Sequence, residues 1–79
     1  PKHWEDNTMT QIEFETGGSV WKLLVGVGDT VEEGQTLLIL EVMKMEVPYV
    51  APASGTIASI HIAEGESVSE DQLAMEIDS

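Results

Sequence analysis

The sequence predicts an all-β domain, a flattened barrel-sandwich of two similar halves, and three observations predict it. Short apolar or alternating runs recur between glycine-rich breaks, the pattern of strands and turns. No segment sustains a helical period. The second half repeats the first at a shift of 37 positions, from Gly18 to Gly55. Under that shift Gly28 falls on Gly65, Val31 on Val68, Glu33 on Glu70 and Gln35 on Gln72. The apolar residues Val20, Leu23, Val25 and Leu40 fall on Ile57, Ile60, Ile62 and Ile77. Turn glycines and core positions repeat together, as two strand–turn–strand units related by an approximate twofold would require.

Residues 1–10 (PKHWEDNTMT) show no period and are expected to form a disordered leader, with Lys2, His3 and Trp4 incidental. The domain itself is expected over 11–79. Ile12 and Phe14 alternate with Glu13 and Glu15, a half-buried strand, and Gly17-Gly18 marks a turn. The run 19–25 (SVWKLLV) is strand-like and sets Trp21 on one face with Leu23 and Val25, so Trp21 is expected in the core. Segments 26–35 and 63–72 are rich in turn residues. Between them, 56–62 (TIASIHI) reads as a strand with Ser59 and His61 turned to solvent, and 73–77 (LAMEI) closes the chain.

The run 36–50 (TLLILEVMKMEVPYV) decides the architecture. As one strand of fifteen residues it would reach about 50 Å, whereas a domain of this size is about 30 Å across. It must double back, and its midpoint is Met43, beside Lys44. Two-residue hairpin turns favour Asn-Gly or Asp-Gly, because the backbone enters positive φ there. Met43-Lys44-Met45 contains no such residue. Local preference conflicts with the required geometry at this point, and such conflicts mark function. The bland alternative is an ordinary surface lysine between two core-filling methionines.

Composition bounds the chemistry. Fifteen Asp and Glu face three lysines and no arginine, a net charge of −12. Such a chain repels phosphate, which argues against nucleic-acid partners and anionic membranes and favours basic protein surfaces. There is no cysteine, so no disulfide and no thiolate metal site, which suits a reducing, cytoplasmic location. No apolar run is long enough to cross a bilayer as a helix. The chain starts on Pro1 rather than Met, as a processed chain or a piece of a longer one would. The acidic pairs Glu32-Glu33 and Glu70-Asp71 lie in loops without a histidine partner, so neither a metal site nor a hydrolase is expected, and no residue is assigned a catalytic role.

Glu41-Val42-Met43-Lys44-Met45-Glu46 is similar to the biotin-attachment motif of the biotinyl/lipoyl attachment family. The flanks agree. Gly28-Asp29-Thr30-Val31 with Glu33-Gly34-Gln35 resembles the upstream loop, Ala51-Pro52-Ala53-Ser54-Gly55 the Ala-Pro-x-x-Gly after the hairpin, and Glu64-Gly65-Glu66-Ser67-Val68 the downstream loop. The likeness covers roughly residues 11 to 78. One departure is Val42, where the family usually has alanine. No stretch is inserted between Val31 and Met43, so the protruding thumb of some carriers is not expected.

The resemblance implies two four-stranded antiparallel sheets with the lysine hairpin at one end and both termini at the other. It implies a biotin carboxyl carrier, itself not an enzyme, whose Lys44 is acylated by a biotin protein ligase that reads Glu41, Val42, Met43, Met45 and Glu46. A lysine side chain in water has a pKa of about 10.4, so the ligase must supply an activated acyl group and remove a proton. Biotin on Lys44 would then act as a swinging arm between a biotin carboxylase and a carboxyltransferase of, for example, an acyl-CoA carboxylase. Two alternatives remain: a lipoyl carrier, whose motif usually reads Asp-Lys-Ala, and an unmodified structural module of the same barrel.

Overall fold

The computed structural model describes residues 9–79; the expected leader lies outside the described residues except for Met9 and Thr10, which belong to the first strand. Among the described residues eight strands follow in order: β1 Met9–Glu13, β2 Gly18–Leu23, β3 Thr30–Val31, β4 Thr36–Val42, β5 Met45–Val50, β6 Gly55–Ile60, β7 Ser67–Val68 and β8 Leu73–Asp78. They form two four-stranded antiparallel sheets, β1-β8-β6-β3 and β5-β4-β2-β7. The expected sandwich is therefore the observed fold.

The repeat is also visible in the structure. A shift of 37 positions, as from Gly18 to Gly55, carries β2 onto β6, β3 onto β7 and β4 onto β8. It also carries β1 onto β5, so one sheet order maps onto the other strand by strand. The loops repeat in atomic detail. Gly28 N donates to Ile57 O at 2.8 Å, and its twin Gly65 N to Val20 O at 2.7 Å. Glu32 N donates to the Gln35 side chain at 3.0 Å, and Ser69 N to that of Gln72, also at 3.0 Å. Side-chain acceptors that close a loop on its own backbone satisfy N–H groups that no strand can reach.

Alternation in the strands builds the core. Val20, Leu38, Leu40, Ile57, Met75 and Ile77 point between the sheets and are buried, with Ile12, Phe14, Val31 and Val68 closing the ends. Each such side chain contributes about 1.5–3 kcal/mol by leaving water. Phe14 meets Tyr49 edge-on, centroids 5.4 Å apart, and the Tyr49 hydroxyl accepts from Glu15 N at 3.0 Å. That contact links the segment after β1 to the edge of the other sheet.

One further expectation needs correction. Trp21 is not in the core but 45% exposed. A bulge lies between Val20 and Lys22 on β2, so Trp21 is an extra residue in the pairing with β4, and the inward positions are Val20 and Leu23 rather than 21 and 23. The twin bulge lies between Ile57 and Ser59 on β6, at Ala58. The turn-rich segments 26–35 and 63–72 each hold a two-residue strand, β3 and β7. Strands that short show no alternation, and their pairing with β6 and β2 is long-range.

Candidate functional site

The run 36–50 doubles back at its midpoint, as expected, although the molecule is 48 Å along its longest axis rather than about 30 Å. From Leu38 to the tip β4 and β5 pair in register, with Ile39 opposite Pro48, Leu40 opposite Val47, Glu41 opposite Glu46 and Val42 opposite Met45. The loop is then two residues, Met43 and Lys44, with φ of 51° and 66°. Positive φ at both central positions is the sign pattern of a type I′ turn, whose twist matches that of the strands. A left-handed conformation costs a residue with a Cβ roughly 1–2 kcal/mol, so both residues hold this shape against local preference.

The turn stands clear of the core. Met43 is 90% exposed and Met45 66%, far beyond what a core-filling thioether would show. Lys44 is exposed, and among the described residues no acceptor lies within hydrogen-bond or ion-pair reach of its amine. Val42 is half-buried and packs on the core, anchoring the base of the tip. Glu41 and Glu46 are exposed and directly opposite each other. Like charges so placed oppose pairing, and a cation brought to the tip would relieve them. All six candidate residues, Glu41, Val42, Met43, Lys44, Met45 and Glu46, thus meet on one hairpin.

Chemically the tip offers a free primary amine on a rigid two-strand support, between two soft apolar side chains and above a carboxylate pair. That suits acylation of the amine by an incoming activated acid.

The other polar cluster lies on the outer face of the first sheet, away from this hairpin. Ser59 Oγ donates to Glu76 Oε1 at 2.8 Å, Gln11 Nε2 donates to Glu76 Oε2 at 3.2 Å, and His61 Nε2 lies 3.1 Å from Ser59 Oγ. Ser59 has one proton and gives it to Glu76, so His61 Nε2 is the donor to Ser59 and has no lone pair free to act as a base there. The hydrogen bonds from Ser59 and Gln11, with the nearby His61, hold the Glu76 carboxyl below its usual range. His61 lies just past β6 and faces solvent. This cluster fastens β1, β8 and β6 together.

Comparison with known proteins agrees with this geometry. Residues 8–77 match the biotin/lipoyl family described as "Biotin-requiring enzyme". The chain is 39% identical over 66 residues to the biotin/lipoyl attachment protein of Bacillus subtilis, covering 84% of this chain and 90% of that one. It is 53% identical over 51 residues to the biotin carboxyl carrier protein of Streptococcus mutans, covering 65% of this chain but 39% of the relative. Among solved structures, the Kluyveromyces lactis urea carboxylase superposes with a TM-score of 0.82 at 32% identity, over 90% of this chain and 6% of the enzyme. Family match, shared fold and a presented lysine converge: this chain belongs to the biotin/lipoyl attachment family of biotin-requiring enzymes.

Proposed function

We propose that the chain is a biotin carboxyl carrier domain and that Lys44 is its attachment site. The observation that carries this reading is the Met43-Lys44 turn, held in positive φ with both side chains projecting into water. The chain's contribution is position. The paired strands β4 and β5 hold the amine away from the core, and Val42 fixes the tip to the sandwich. When attached, biotin carries a carboxyl group between active sites, and the tether keeps it at high local concentration at each. Those sites, a biotin carboxylase and a carboxyltransferase, belong to other domains or chains, and a biotin protein ligase installs the group. Glu41, Val42, Met43, Met45 and Glu46 are the residues that the ligase reads.

Lipoyl attachment is the second reading, and the dual name of the Bacillus relative favours keeping it. Methionines on both sides of Lys44 favour biotin, because the lipoyl pattern places an acid before the lysine and a small residue after it. Co-expression with a biotin ligase or with a lipoate ligase, followed by intact-mass analysis, separates the two. A biotin adduct that maps to Lys44 supports the proposal; a lipoyl adduct alone, or no adduct with either ligase, overturns it.

A further inference from the structure

The side chains that hydrogen peroxide oxidises readily carry sulfur. This chain has no cysteine and four methionines, so thioethers are its only oxidisable sulfur. Their placement is uneven. Met75, on β8, is fully buried, and Met9, on β1, is 44% exposed. Met43 and Met45 are the two most exposed large apolar side chains among the described residues, and they flank Lys44. The accessible sulfur is thus concentrated on the one hairpin that presents the amine.

The fold does not call for thioethers there. A two-residue turn with both φ positive is better built from Asn-Gly, and Met43 holds a φ of 51° despite its Cβ. Neither Met43 nor Met45 belongs to the buried core. Oxidation at the tip therefore changes what the hairpin presents and leaves the packing between the sheets alone. Oxidation of Met75 would instead set a polar group inside the core cluster.

The chemistry is balanced by peroxide alone. The thioether sulfur attacks one peroxide oxygen, the O–O bond breaks, that oxygen stays on sulfur as the sulfoxide, and the other leaves as water. Sulfur loses two electrons and peroxide gains them. A flexible apolar side chain becomes polar and chiral, and it must shed bound water before it can enter an apolar contact. Methionine sulfoxide reductases reverse the step, one enzyme for each sulfur epimer. Two thiols of the reductase become a disulfide, and the oxygen departs as water.

Resting on the biotin-carrier reading, we propose that Met43 and Met45 form a reversible oxidation site that switches the tip: as thioethers they admit Lys44 to the biotin ligase, and as sulfoxides they withhold it.

The unloaded chain is treated with hydrogen peroxide, the excess is destroyed with catalase, and sulfoxides are mapped by peptide mass analysis. Met43 and Met45 should gain oxygen faster than Met9, with Met75 still reduced. Loading by purified biotin ligase should then slow at least about fivefold, as expected when recognised apolar groups turn polar. The thermal midpoint should stay within about 2 °C of the untreated chain, and the two reductases together should restore the loading rate. Met9→Leu should leave this response intact. In Met43→Leu/Met45→Leu the loading rate, whatever its starting value, should not respond to peroxide. The single variants should each lose less than wild type and serve if the double variant loads too slowly to follow. Oxidation of Met9 or Met75 ahead of the tip overturns the site. An unchanged loading rate in a tip-oxidised chain overturns the switch, as does a loss that the reductases cannot restore or that the double variant retains. An untreated wild type that is never loaded overturns the carrier reading and the switch with it, whereas the sulfoxide map tests the oxidation site by itself.

Discussion

Gly34 and Asp71 occupy the same left-handed position in the two halves of the domain, with φ of 88° and 70°. Each closes an equivalent loop: Gly34 N donates to Ala51 O at 2.8 Å and Asp71 N to Phe14 O at 2.7 Å. The same backbone is thus reached once at little steric cost and once with a Cβ. Asp71→Gly should therefore stabilise the fold, by less than about 1 kcal/mol because aspartate tolerates this region better than most residues. Urea denaturation measures the change, and a destabilised variant would show that the Asp71 side chain matters more than its backbone strain.

The hairpin tip should respond in the same direction but with a functional loss. Met43→Gly removes a positive-φ penalty and should raise stability by about 0.5–1 kcal/mol, while slowing ligase loading because a recognised thioether is gone. Met45→Ala, outside the turn, should slow loading or later carboxylation without the stability gain. Parallel denaturation and loading time courses on both variants check the pairing of the two effects.

Lys44→Ala should abolish biotin incorporation and leave the thermal midpoint within about 2 °C of wild type, since an exposed side chain with no partner among the described residues contributes little to stability. A streptavidin blot and a thermal melt decide it. A retained biotin signal would move the attachment to another amine.

Gly18 and Gly55 are twins at close backbone approaches. A Cβ at Gly18 would lie 2.6 Å from Glu41 O, and one at Gly55 would lie 2.5 Å from Asp78 O. Neither backbone can yield without disturbing β4 or β8, so Gly18→Ala and Gly55→Ala should each destabilise by roughly 1–3 kcal/mol. Gly18→Ala should also slow loading, because β4 leads into the Lys44 turn. Denaturation midpoints and loading rates of the two variants test this asymmetry.

The Glu76 cluster predicts a pH dependence. Its carboxyl is held below the ordinary value of 4.5, first by the Ser59 hydrogen bond and then by that of Gln11. A depressed folded-state pKa means the ionised form favours the fold. The stabilisation is present above the unfolded value and disappears as pH falls through the folded one. Glu76→Gln should accordingly melt below wild type near neutral pH and converge with it in acid. Melts from pH 7 down to pH 3 measure the convergence, and a constant gap would assign the effect to packing.

Much of this protein was legible in its sequence. The internal shift from Gly18 to Gly55 foretold two similar halves, because turn residues and inward positions recur wherever the backbone recurs. The length of the run 36–50 pointed to a reversal beside Lys44, its midpoint; the molecule is 48 Å along its longest axis, so the pairing of β4 with β5, and not length alone, fixes the turn. Tertiary structure alone decided the rest. It set Trp21 outside the core, because a bulge slipped the alternation of β2 against β4. It made strands of Thr30–Val31 and Ser67–Val68, too short to show a period and formed by distant partners.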